Sequence, residues 1–382
     1  MDRKLSRRQL MKQAAAAAVG FTIVPRHVLG GPGYTPPSEQ LTKAVIGVGG
    51  MGQHHLGLSD SRCLAICDVD RNHLNAVLAA GKANGHTDLR AYTDWREVLE
   101  RPDIDIIHIA TPPHWHAIMS IAAAQAGKDI WCEKPMSRTN GEGIRVVEAV
   151  QRTGRMFRIN TRFRYEADIP DTGIPCRPLK KAIVNGLLGW PLKATLSVNN
   201  GFPWKLDMWA GRTDLKPEPV PAHLDYDMWL GPAPWKPYHP HRFHQTYRGY
   251  WDYDGGGLGD QGQHFLDPVQ YLMDKDDTSP VEIEAEGPVQ HPDAAGPWKR
   301  VWMRYADGCE ILLLGEDDQK DPPFIEGPKG KVYAGFRSDI PDFHKKLEQL
   351  PDLEPVENNF LHSVRTRQKF ILNEANCHHS CT

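Results

Sequence analysis

The sequence offers a polyanion almost no net charge. Its 45 Lys and Arg are set against 48 Asp and Glu, a formal charge of -3. Phosphate-backbone binding needs concentrated positive charge, so nucleic acid is excluded as the expected partner. The chain also lacks an apolar run able to stay in a bilayer. The Ala-rich stretch 14–24 is stopped by Pro25, well short of the roughly 20 residues that a spanning helix needs. An even set of cysteines is missing too. Seven do not suggest a disulfide-stapled fold, and Cys63, Cys67 and Cys132 fall in apparent strands, where cysteine serves as a small buried hydrophobe. Metal signals are equally thin. Cys377, His378, His379 and Cys381 form one terminal group without a second cluster, and His239, His241 and His244 form only a local run. No metal is expected.

What is present begins with an address. Residues 6–12 carry paired Arg7 and Arg8 ahead of the modest apolar region 14–24, the pattern of a twin-arginine export signal. Residues 1–40 therefore read as signal and linker, with a periplasmic or exported destination. The remaining length suits about two domains with sizeable cores. Eleven Trp and 31 Pro suggest long loops anchored by aromatic side chains.

The most informative stretch is Gly47-Val-Gly49-Gly50-Met51-Gly52, which follows a short apolar run at 43–48. In a strand–turn–helix unit, Gly47 allows the tight turn, Gly49 lets a pyrophosphate approach the backbone, and Gly52 lets helix and strand pack closely. Gly50 and Met51 open the helix, whose N-terminal N–H groups favour phosphate. A second apolar run ends at Asp68, sixteen residues after Gly52, where a carboxylate would hold the adenosine ribose and repel a 2′-phosphate. NAD is expected, NADP less so.

Strand and helix signals alternate through 41–164, the pattern of a doubly wound Rossmann domain. Residues 104–110 are nearly all apolar, as in a parallel strand covered on both faces, and Asn140 is a candidate cap for the helix that runs to about Gln151. Thr111, Pro112, His114, Glu133 and Lys134 fall at strand ends, where such sheets bind ligands. His114 is read as touching cofactor or shaping its pocket, with a packing role as the alternative. Beyond residue 165 the strand signals at 193–198, 281–285, 301–305 and 310–314 describe an α+β domain on an open, largely antiparallel sheet, spanning 165–382. The turn 306–308 joins the last two as a hairpin. Segment 201–258 is an aromatic-rich insertion whose Trp204 and Tyr253 are candidates for stacking on a sugar ring. Arg162 and Arg164 are candidates for holding a carboxylated or heavily hydroxylated substrate.

The glycine motif, Glu133-Lys134-Pro135 and the run Gly259-Asp260-Gln-Gly-Gln-His264 together resemble the glucose–fructose oxidoreductase and inositol dehydrogenase family, from about residue 40 to 375. The segment 229–235, with 251–257 before the Asp-Gln-Gly-Gln-His run, is similar to its exported bacterial subgroup. The resemblance implies NAD or NADP in the first domain and a sugar, polyol or related hydroxy compound as substrate. It implies that Lys134 reaches the substrate hydroxyl, Asp260 contacts substrate or orients the base, and His264 is the acid/base residue. The peptide before Pro135 is often cis in this family. Homo-oligomers, dimers or tetramers, are expected. Two departures are that the stretch between Lys134 and His264 is longer than in simpler dehydrogenases, and that exported family chains usually run on beyond Cys381, so the end at Thr382 implies a shortened version.

The residue chemistry stands beside that resemblance. Removing hydride from a carbinol carbon is easiest when its hydroxyl loses a proton in the same step, work for which histidine has a suitable intrinsic pKa. An ammonium stabilises the oxyanion that develops, and Asp260 and His264 would share a helix face. Three readings follow. One is net oxidation of a sugar, polyol or glycoside hydroxyl. A second is a redox-neutral glycoside hydrolase with permanently bound NAD, which oxidises C3, eliminates the C1 substituent, adds water and returns the hydride. The third is a non-catalytic nucleotide-binding protein.

Overall fold

A computed structural model describes residues 39–58, 61–83, 88–161, 163–165, 168–200, 209–315 and 319–382. The elements below all lie within one compact unit, Thr42–Thr382. The expected export signal, Arg162 and Trp204 fall outside the described residues.

Short runs of apolar residues form the first sheet because both of its faces are covered. Its strands are β1 (Thr42–Ile46), β2 (Arg62–Cys67), β3 (Arg90–Tyr92), β4 (Ile106–Ile109), β5 (Asp129–Cys132) and β6 (Phe157–Ile159), all parallel, in the order β3-β2-β1-β4-β5-β6. Every residue of β4 and β5 is buried, as near-continuous apolar strands require. The order reverses between β1 and β4, so their C-terminal ends open a crevice. Helices Gly50–Gly57, Pro113–Gln125 and Asn140–Thr153 make up much of the cover. The cap expected at Asn140 belongs to Thr139. Its hydroxyl accepts from Glu142 N while the Glu142 side chain accepts from Thr139 N, a reciprocal pair that fixes the helix start one residue earlier.

A two-stranded hairpin, β7 (Asp168–Ile169) with β8 (Ile174–Pro175), leads into the second half. There β9 (Lys193–Ser197), β10 (Glu282–Glu286), β11 (Arg300–Arg304), β12 (Glu310–Leu314), β13 (Ile325–Gly327), β14 (Gly330–Tyr333) and β15 (Arg337–Ser338) form one sheet in the order β10-β11-β12-β9-β13-β14-β15. All its pairings are antiparallel except β12 with β9. Alternation in β12 points Ile311 and Leu313 inward, where Phe265, Val269 and Leu272 of helix Gly256–Leu272 share their core. That helix starts four residues ahead of Asp260, so both Asp260 and His264 ride on it.

Among its described residues, from 209 to the start of helix Gly256–Leu272, the aromatic segment is largely irregular, with a five-residue helix, Tyr226–Leu230, and 3₁₀ turns. Tyr226, Trp229, Tyr238, Phe243, Tyr247, Tyr250 and Tyr253 pack into a separate apolar cluster. Its backbone is stitched to the turn after β2, Arg71 N donating to His223 O and Asp225 N to Val69 O, both at 3.0 Å. The insertion is thereby fastened to the turn at the C-terminal end of β2.

Candidate active site

The glycine turn has the geometry that a dinucleotide demands. Gly47 adopts φ +82°, and a Cβ there would stand 2.7 Å from Ala110 O, so only glycine lets β1 turn against the end of β4. A Cβ on Gly52 would meet Gly47 O at 1.8 Å, which shows how tightly the helix seats on the turn. Gly49, Gly50 and Met51 line a cleft of about 700 Å³, within the usual range of a ligand site. Asp68 stands beside them. It accepts from Val48 N at 2.8 Å and Asp70 N at 2.9 Å, and His73 Nδ1 lies 3.2 Å from its Oδ2. The hydrogen bond to Asp68 raises the His73 pKa against the effect of burial. A cradle free of side chains and a neighbouring carboxylate fit the pyrophosphate and ribose of NAD.

At the other end of the cleft, Thr111, Pro112, Glu133, Lys134 and His264 line the same space. The ends of β4 and β5 are held together by His116, whose ring nitrogens lie 2.8 Å from Thr111 O and 2.6 Å from Pro135 O. The Lys134–Pro135 peptide is cis. Lys134 Nζ donates to Asp260 Oδ1 at 2.9 Å and to Asp260 O at 2.8 Å. Arg248 Nε donates to the same Oδ1 at 2.9 Å. Burial pushes the Asp260 carboxyl up, but Lys134 and Arg248 outweigh it and its pKa falls. Nearby, burial and then the Asp260 charge drive Asp254 far above the usual carboxylate range.

His264 presents an edge to Phe163, with ring centroids 5.5 Å apart, and its buried Nδ1 has no hydrogen-bond partner among the described residues. Burial, followed by the Lys134 charge, lowers its pKa to about 4. It is therefore a neutral imidazole with a spare nitrogen at neutral pH. Glu133 Oε1 faces His55 Nε2 at 2.8 Å, and His55 Nδ1 faces His108 Nδ1 at 2.9 Å. Burial raises the Glu133 pKa, and its hydrogen bond and charge contact with His55 lead the effects that lower it overall.

Three expected contacts are corrected. His114 is 2 % exposed, and its Nε2 lies 3.0 Å from Trp229 O. The first turn of its helix carries the ring away from the crevice into the aromatic cluster. Arg164 is wholly buried and spans Asp267 and Asp276, at 2.6 and 2.7 Å, so its guanidinium is committed to the protein interior. Tyr253 is also wholly buried, packed on Trp229 with centroids 4.8 Å apart, and offers no face to a sugar. The histidine run also separates. His239 Nδ1 accepts from His241 N, His241 Nδ1 lies 2.6 Å from the Tyr250 hydroxyl, and His244 turns toward Asp70.

Sequence reasoning missed Arg248 and the His55–His108 pair, and it counted Trp209 among the segment's aromatics without singling it out. The Arg248 guanidinium lies over the Trp209 and Tyr247 rings at 5.1 and 4.8 Å, and all three side chains line the cleft. A motif search has no signal for a residue recruited from an irregular loop. The aromatic density of the segment was the one available clue.

Residues 41–161 match the NAD-binding Rossmann fold of an oxidoreductase family, and residues 172–382 match that family's C-terminal alpha/beta domain. A levoglucosan dehydrogenase of Pseudarthrobacter phenanthrenivorans is 46% identical over 77 residues, 20% of each chain. A glycosyl hydrolase family 109 protein of Shewanella pealeana is 29% identical over 187 residues, 43% of this chain and 41% of that protein. The chain thus matches less than half the length of either curated relative. In fold it is similar to the WlbA dehydrogenase of Bordetella pertussis, solved with NADH and UDP-GlcNAcA, with TM-score 0.61, 20% identity, and 90% and 92% of the two chains covered.

Proposed function

The chain belongs to this NAD-binding oxidoreductase family, and we propose that it oxidises a hydroxyl group of a sugar, polyol or glycoside. The observation that carries the reading is the arrival of Lys134 and His264, from opposite halves of the chain, in the cleft that also holds the glycine turn. Gly47, Gly49, Gly50 and Asp68 hold NAD, which supplies the hydride acceptor. His264 is the base that takes the hydroxyl proton, because it is neutral at pH 7 and has an uncommitted buried nitrogen. Lys134 faces the oxygen on which negative charge develops and stabilises it. Asp260 holds the lysine in place through two hydrogen bonds. Arg248 keeps Asp260 ionised and, with Trp209, presents a cationic and aromatic wall to a hydroxylated ring.

A redox-neutral glycosidase is the second reading. It is favoured by the hydrogen bonds that fasten the aromatic segment over the turn after β2, a closure suited to a nucleotide retained through turnover. The expected export adds to it, since a retained nucleotide needs no external supply. His264 would then exchange protons with substrate in both directions, and Lys134 would steady the enolate oxygen formed after oxidation. A homo-oligomer is part of the proposal in either case.

One experiment separates the two. The purified protein is incubated with sugars, polyols and aryl glycosides, while nicotinamide reduction and aglycone release are followed together. Net reduction supports the oxidoreductase, and aglycone release without net reduction supports the glycosidase. Neither signal across a broad panel would end both readings.

A further inference from the structure

Asp70, His73 and His244 meet at the rim of the cleft, each offering one ligand atom, with the three atoms within 4.8 Å of one another. Asp70 and His73 come from the turn after β2 and the helix Arg71–Ala83, whereas His244 belongs to the aromatic segment. Asp70 is 3 % exposed, and its Oδ2 stands 3.4 Å from His244 Nε2 and 3.7 Å from His223 Nε2. Both separations are longer than a good N–H···O bond. Ligand atoms at about 2.0–2.2 Å from a tetrahedral ion lie roughly 3.3 Å apart, the spacing that Asp70 and His244 already have. The His73 and His244 rings are 4.9 Å apart at 47°. Asp68 engages His73 through Nδ1, as carboxylates commonly orient an imidazole that ligates through its other nitrogen. His244 adopts φ +49°, an uncommon conformation for a residue with a side chain, and its ring is directed at this cluster.

We propose that Asp70, His73 and His244 bind a divalent first-row transition-metal ion, zinc or an ion of similar preference, with His223 or water as the fourth ligand. Two imidazoles and one carboxylate select such an ion over calcium or magnesium, which take oxygen donors. The bound ion ties the β2 turn to the aromatic segment at the adenosine end of the cleft. It takes no part in the hydroxyl chemistry, so the proposal stands whichever reaction the protein performs.

The test uses the full chain, treated with chelator and titrated first with Co²⁺ and then with Zn²⁺. One equivalent of Co²⁺ is expected to bind with the intense visible absorption of a four-coordinate site, and Zn²⁺ is expected to abolish that absorption. His244→Ala and Asp70→Asn should each weaken binding by about tenfold or more, while His362→Ala, a change at an exposed histidine outside the cluster, should not. Absence of saturable one-to-one binding, or equal affinity in both cluster variants, would overturn the proposal. If either variant folds poorly by circular dichroism, the stoichiometry and spectrum of the unmodified chain decide the matter alone.

Discussion

Lys134 and Asp260 lie 126 positions apart in the chain, yet the lysine ammonium donates to both the carboxylate and the main-chain carbonyl of the aspartate. The carbonyl bond survives any change to the Asp260 side chain, so Asp260→Asn should keep the lysine near its place while removing the paired charge. A fall in kcat of about tenfold or more with little change in nucleotide affinity is expected. Lys134→Ala should cost about 10²–10³-fold in kcat, the scale of one lost oxyanion donor. Steady-state kinetics alongside nucleotide binding by fluorescence would check both, and loss of binding would show the pair to be structural instead.

The acid limb of activity should follow His264. Its pKa in the folded protein is about 4, below the ordinary histidine value of about 6.5, so the base remains deprotonated through the mildly acidic range. Log kcat/KM should therefore stay flat as pH falls through 6.5 and decline only near 4 to 5. A half-maximal point at 6 to 7 would indicate a different base. His264→Ala should lower kcat by about 10²–10⁴-fold.

Arg164 should matter to folding and not to substrate. Replacing it with Met leaves Asp267 buried without its cation, a change that costs about 3–5 kcal/mol in comparable buried pairs. Denaturant unfolding should register that loss. The KM of the folded fraction should be unchanged, and a raised KM at full stability would restore Arg164 as a substrate contact.

Gly52→Ala places a methyl group 1.8 Å from the Gly47 carbonyl, and the helix must move away from the turn. Overpacking of this kind costs about 1–3 kcal/mol, and the displaced turn should bind NAD at least about tenfold more weakly. Calorimetry with NADH would measure the change. Unaltered affinity would mean that the pyrophosphate does not depend on this turn.

The first sheet was legible because residues such as 106–109 are apolar but for His108, the near-continuous pattern of a strand covered on both faces. Lys134 and Asp260 were legible through their motifs. His114 misled because its position at a strand end is right for a ligand contact, while the direction of its side chain is set by the first helical turn and by Trp229. Arg164 misled for a related reason: its partners, Asp267 and Asp276, lie over a hundred positions away, and no local pattern reveals that they neutralise it. The Asp70–His73–His244 cluster was hidden likewise, assembled only when the irregular aromatic loop folds back on the β2 turn.

The hydrogen bonds that join His223 and Asp225 to the β2 turn also govern how the protein divides. An excised fragment ending near residue 161 would carry the whole nucleotide fingerprint but leave the Arg71 N–H, the Val69 carbonyl and the Trp115 indole N–H without the groups that satisfy them here. The amino-terminal portion is therefore no portable cassette. Grafted elsewhere, it would need a substitute for the loop that its own carboxy-terminal portion lends it.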